Sequence, residues 1–172
     1  DEARRREPEL SQDVQAALEL PGEGQVDPRL LLPALSMAAE RLGVRFVTDC
    51  VVREVLTEGG RARGVRLDAE VLHSEHVVVA AGSWTSLVPG VPLPSVTILP
   101  VKGQVMRTHA RPRLLERVVF GAGGYLVPRA AGDVLVGATT ERVGFVRGVT
   151  LAGLAELITI AGGDFAGDIG DG

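Results

Sequence analysis

A few places in this sequence combine residue types with a spacing that could do chemistry. One is the run Val77-Val78-Val79-Ala80-Ala81-Gly82-Ser83-Trp84. Its β-branched stretch, 77–81, is too short for a helix and reads as a strand buried on both faces of a parallel sheet. The small-residue exit at Ala81 and Gly82 lets a ligand or another backbone approach where a side chain would block it. The carboxyl end of a parallel strand is also where α/β proteins place ligands. A plain tight strand exit would use the same residues. A second place is Tyr125, the only tyrosine, directly after Gly123-Gly124. At the start of a strand it can offer its hydroxyl to a polar ligand while its ring lies on an apolar wall. A half-buried sheet tyrosine is the plainer alternative. Arg129 could grip a carboxylate with two parallel hydrogen bonds, although an arginine at a hairpin end is more often solvated. Lys102, the only lysine, stands in Pro100-Val101-Lys102-Gly103-Gln104, either near a reaction centre or on an ordinary surface.

Other chemistries lack their spacing. His73, His76, His109 and Cys50 do not form a metal-binding set. Asp164, Asp168 and Asp171 miss the calcium-loop pattern and read as an acidic tail. No Gly-x-Ser-x-Gly elbow and no Walker loop occur. Gly22-Glu23-Gly24 and Gly121-Ala122-Gly123-Gly124 approach G-x-G-x-x-G without its third glycine, so both read as turns.

The elements that would position these residues follow from periodicity. A short helix is predicted over 11–20, capped by Ser11, with a narrow stripe of Val14, Ala17 and Leu18. A stronger one is predicted over 28–42. Asp27 is its N-cap, Pro28 its first residue and Gly43 its stop, and Leu31, Leu35, Ala38 and Leu42 form an apolar stripe. Strands are predicted over 44–47, 51–57, 62–67, 70–74 and 77–81. Residues 83–86 could start a short helix. Pro89, Pro92 and Pro94 mark a boundary. Beyond it lies a meander with strands over 96–101, 103–108, 117–120, 125–128 and 134–138, the last two joined by a hairpin turn at 130–133. Thr150 caps a helix over 151–161 with Leu154, Leu157 and Ile158 inward. The fold class is therefore α/β followed by antiparallel β. Four segments result: a polar N-terminus (1–24), an α/β layer (25–88), an antiparallel sheet with its following helix (89–161) and a loose Gly/Asp tail (162–172).

Composition bounds what these elements can do. Apolar residues at 45% can bury a core, which argues against disorder. A formal net charge of −4 argues against general nucleic-acid or anionic-membrane binding. Aromatics at only 3% make base-stacking platforms unlikely to form. No apolar run reaches the ~18–20 residues of a membrane span. One cysteine excludes an intrachain disulfide and suits a reducing, cytoplasmic compartment. The N-terminal Asp-Glu-Ala-Arg-Arg-Arg-Glu reads as a solvated charge run.

Five stretches, taken in order, resemble one family. They are Gln25-Val26-Asp27-Pro28-Arg29-Leu30-Leu31 with its helix, Val77 to Trp84, Leu99-Pro100-Val101-Lys102-Gly103-Gln104, Tyr125-Leu126-Val127-Pro128-Arg129 and Val136-Gly137-Ala138-Thr139-Thr140-Glu141. Together, over roughly residues 7–160, they resemble the middle of FAD-dependent amino-acid oxidases of the D-amino-acid oxidase superfamily, above all the glycine oxidases of thiamine biosynthesis. The resemblance implies part of an FAD-binding, Rossmann-like domain (25–88) joined to a substrate-domain sheet (89–161). It implies oxidation of a small amino acid to its imine and then its 2-oxo acid, with molecular oxygen reduced to hydrogen peroxide. Carried over by position, Val52 would touch the adenine end of FAD through its backbone. Ala81 and Gly82 would lie against the cofactor, and Tyr125 would line the substrate pocket as the catalytic-site tyrosine. Thr140 falls where the glycine oxidase pattern can carry a pocket methionine. No metal is implied, and homo-oligomerisation is left open.

Two family features are missing from these residues: the G-x-G-x-x-G loop with its strand and helix, and the segment bearing the carboxylate-gripping arginine. The expectation is an internal fragment that alone neither holds FAD tightly nor turns over. Rival readings are a sarcosine oxidase or D-amino-acid dehydrogenase relative, a non-catalytic binding module without cofactor, and a truncated product with open sheet edges and no independent role.

Overall fold

The N-terminal charge run is helical. Glu2 pairs with Arg5 and Arg6 one turn further on, and the pairs support a short helix, α1 (Glu2–Arg6). The computed structural model describes residues 2–92, 98–109, 115–121 and 123–163. The helix expected over 11–20 is not formed. Ser11 Oγ accepts the Asp13 N–H at 3.2 Å, as a cap would, but the chain only turns there. The Arg4 guanidinium explains why. It donates to the carbonyls of Gln12 at 2.7 Å and Val14 at 3.0 Å, the acceptors a helix would need for itself.

The chain divides into two compact units, Asp27–Val101 and Asp1–Val26 with Lys102–Gly172. The first holds helix α2 (Pro28–Arg41). Asp27 caps it, accepting the Arg29 N–H at 3.0 Å, and Gly43 closes it through a 2.9 Å bond to the Glu40 carbonyl. No residue of α2 is buried. Strands β1 (Glu54–Glu58), β2 (Arg61–Arg66) and β3 (Val71–His73) form an antiparallel meander in that order. A 3₁₀ helix over Gly82–Leu87 occupies the expected short-helix position.

Two expected strands of this unit are corrected. Residues 44–47 and 77–81 join no ladder, and Val78 is 90% exposed. A strand buried on both faces needs hydrogen-bonded neighbours on its edges, and among the described residues none pairs with either stretch.

The second unit is built on a four-stranded antiparallel sheet. Its strands are β4 (Val105–His109), β5 (Val119–Gly121), β6 (Gly124–Pro128) and β7 (Asp133–Gly137), in the order β4-β7-β6-β5. The β6–β7 hairpin turns where expected, with Arg129 N–H bonded to the Asp133 carbonyl at 2.7 Å. Helix α3 (Leu151–Gly163) starts at Thr150, whose Oγ1 accepts the Gly153 N–H at 3.1 Å. It covers one sheet face. Leu126, Val134 and Val136 meet Leu157, Ile160 and Ala161, with Leu10 and Leu115 completing the core. The expected inward Ile158 is 56% exposed. With Leu157 inward, positions three and four residues on, Ile160 and Ala161, share its face, and Ile158 lies about 100° around the helix. No ladder includes 98–101, while 96–97 and the tail from 164 lie outside the described residues.

Candidate functional site

The residues singled out for a nucleotide lie in the unit Asp27–Val101. Val52 sits on the extended lead-in to β1 and is 39% exposed. The ladder begins one residue later, where Arg53 N–H bonds to the Arg66 carbonyl at 2.8 Å. Among the described residues nothing bonds to the Val52 N–H or carbonyl, so its backbone edge is open. Ala81 and Gly82 come together at the start of the 3₁₀ helix, where the Ala81 carbonyl accepts the Trp84 N–H at 2.9 Å. Gly82 has φ +52°, which favours glycine, and a side chain built there would meet nothing within 4 Å. The backbone at Gly82 therefore presents an open, side-chain-free surface next to the small side chain of Ala81.

The residues singled out for a substrate lie on the sheet of the second unit. Strand alternation sends Leu126, Val134 and Val136 to the core and Tyr125, Val127, Leu135 and Gly137 to the other face. Tyr125 is half-buried there. Its ring stands 5.8 Å from that of Phe120, tilted by 54°, and lies over Gly137, its cross-strand partner. Among the described residues its hydroxyl has no hydrogen-bond partner. Thr140 is exposed just beyond β7. Arg129, the other candidate of this strand, is engaged elsewhere. It donates to Gln25 Oε1 at 2.8 Å and to the Val26 carbonyl at 3.0 Å, tying down the segment before α2.

Lys102 belongs to a polar knot that sequence reasoning did not assemble. Its Nζ lies 3.2 Å from Glu141 Oε2, and the two backbones are bridged. Glu141 also accepts from Gln104 Nε2 at 2.6 Å and Thr139 Oγ1 at 2.9 Å. Gln104 Oε1 in turn accepts the Thr150 N–H at 2.9 Å, tying the knot to the start of α3. Donation by Gln104, Thr139 and Lys102 holds the Glu141 carboxyl below its ordinary pKa. A second carboxylate, Asp133, is likewise held down by His109, 2.7 Å away, and by Arg107. The Asp133 arrangement fastens β4 to β7, and the Glu141 knot fastens the segments flanking β4 and β7 to the start of α3. Their members had been legible only as pieces of separate motifs, because the partners are up to 46 residues apart.

A family profile described as "FAD dependent oxidoreductase" matches residues 1–162. The bifunctional protein ThiO/ThiG of Nostoc sp. (strain PCC 7120) is 36% identical over 156 residues, covering 88% of this chain and 23% of that protein. A glycine oxidase of Geobacillus kaustophilus is 32% identical over 161 residues, covering 91% and 42%. A crystal structure of glycine oxidase from that organism superposes with a TM-score of 0.81, at 27% identity, over 95% of this chain and 44% of its own. L-proline dehydrogenase from P. horikoshii superposes with a TM-score of 0.86 at 21% identity, covering 95% and 46%, and so shares the fold. The chain spans less than half the length of these curated relatives and structures. The similarity spans nearly the whole chain.

Proposed function

This chain belongs to the FAD-dependent oxidoreductase family, whose members use the cofactor expected from the sequence. From that premise we propose that it forms part of an oxidase of glycine or another small amino acid, with residues 25–88 on the cofactor side and 89–161 carrying the substrate-facing sheet. FAD would supply the two-electron acceptor: the amine would give up a hydride and a proton to become the imine, the two electrons and two protons would pass on to oxygen as hydrogen peroxide, and water would hydrolyse the imine to a 2-oxo acid and ammonia. The observation that carries the substrate class is the alignment with glycine oxidase over 91% of the chain.

The chain's own residues fit these roles. The open backbone edge of Val52 can read the rim of an adenine by hydrogen bonds. The bare backbone of Gly82, beside the small side chain of Ala81, lets a flat, bulky group approach closely. The unpartnered hydroxyl of Tyr125, on a ring braced by Phe120, can hydrogen-bond to an amino acid and orient it. Glu141 and Lys102 hold the chain just past β7 with an ion pair and a backbone bridge. The single cysteine, Cys50, is exposed, which suits the reducing cytoplasmic setting.

FAD titrated into the purified protein, with peroxide measured for glycine, sarcosine and D-alanine, tests this reading. Peroxide from glycine supports it. Peroxide from sarcosine alone transfers the assignment to that substrate, and reduction of an artificial acceptor without peroxide indicates a dehydrogenase. The fold shared with L-proline dehydrogenase is what favours that second reading. Tight, stoichiometric flavin with peroxide from glycine would overturn the expectation that these residues alone neither hold FAD tightly nor turn over.

A further inference from the structure

We infer that Gly137 is a positioning residue for Tyr125: by carrying no side chain it seats the phenol ring on the β7 backbone and thereby sets how the pocket binds a small amino acid. The inference rests on the reading of Tyr125 as a pocket residue. Tyr125 and Gly137 are direct cross-strand partners. A Cβ built on Gly137 would fall 2.3 Å from Tyr125 Cζ, 2.5 Å from its Oη and 2.6 Å from its Cε2. Carbon atoms in contact prefer about 3.5–4.0 Å, so the far half of the ring occupies the space that any side chain at 137 would need. Phe120 braces the ring as well, leaving it a defined seat rather than a free swing.

The strand cannot easily yield. Gly137 is paired with Tyr125 on one side and Val105 on the other, so its backbone is held in a ladder along both edges. The atoms that collide are instead the end of a side chain with two rotatable bonds. A methyl at 137 should therefore move the ring and leave the sheet standing. The hydroxyl, which has no partner among the described residues, would move with it. The bland alternative is a glycine that only lets an aromatic side chain pack in a sheet, with no consequence for ligand.

Tyr125 is the only tyrosine, so 3-fluorotyrosine labelling of the full chain gives one fluorine resonance. At saturating FAD, Gly137→Ala is expected to shift that resonance and to raise the Kd for glycine roughly tenfold, read from the perturbation of the flavin absorbance, with no turnover required. In a Tyr125→Ala background the same substitution is expected to change neither Kd nor stability further, because its effect runs through the ring. A resonance that does not shift overturns the inference, as does a shift without a Kd change or the absence of any glycine binding. Tyr125→Phe, which keeps the ring and loses the hydroxyl, separates the two failures. If it raises Kd, the pocket reading stands and only the role of Gly137 falls; if it does not, both fall. Should Gly137→Ala fail to fold, recovery of folding in Tyr125→Ala/Gly137→Ala upholds the collision with the ring, and continued failure overturns it.

Discussion

The two units of this chain place their apolar side chains very differently. In the sheet unit, apolar positions spaced for a strand and a helix meet each other, and Leu126, Val136 and Leu157 are almost fully buried. In the unit Asp27–Val101, the only buried apolar side chains are Val55 and Leu67 among the described residues, while Leu30, Leu31, Leu32 and Leu35 of α2 all face outward. Both units nevertheless form elements closed by local signals, α2 in one and α3 with the β6–β7 hairpin in the other. Capping and turn residues can close a helix or a hairpin from within. Burying its apolar face requires a second element of matching shape. The first unit is held by backbone geometry and the second by side-chain packing.

That contrast can be broken or sharpened by substitution. Leu126→Ala is expected to cost about 2–5 kcal/mol, read as a lowered urea midpoint with early loss of amide protection in β6 and β7. A cost below 1 kcal/mol in that experiment would show that the apparent core is not a core, and the contrast would fail. Gly64→Ala comes next. Gly64 has φ +137°, and a Cβ there would lie 2.0 Å from the Leu72 carbonyl oxygen. The expected cost is about 1–3 kcal/mol, appearing as exchange of the β2–β3 amides with β4–β7 protected as before. Parallel loss of protection in both sheets would deny that the two behave separately. Asp27→Ala removes the cap of α2 and is expected to cost about 1 kcal/mol, visible as lost helical ellipticity. The smallest effect is expected for Leu31→Ala, within about 0.5 kcal/mol, because Leu31 is 42% exposed. A cost near that of Leu126→Ala would mean that the α2 stripe is covered in the working protein.

How much was legible in advance follows the range of each interaction. Helix α2, the turn before Asp133 and the Thr150 cap rest on contacts within four residues, and all three were readable from types and spacing. The helix expected over 11–20 failed because Arg4, up to ten residues away, takes its carbonyls. The strand expected at 77–81 failed because a ladder depends on neighbours that its own residues do not specify. At the candidate site, Tyr125 was readable from its place after Gly123-Gly124. Gly137 was not, since its pairing with the ring is set by register across two strands. Val52, Ala81 and Gly82 entered by resemblance, and only coordinates could place Gly82 in the left-handed region with open space beside it.

By itself the amino-acid sequence determined the capped helix, the short strands on the substrate side and membership of a flavin-dependent family, because periodicity, capping and ordered motifs are properties of neighbouring residues. It did not determine that β4 lies beside β7 instead of β5. Tertiary structure alone decided which apolar stripe found a partner, which carboxylates gained donors, and that a glycine twelve positions from Tyr125 lies beneath its ring. Those outcomes depend on where distant segments meet, and no local pattern encodes that meeting.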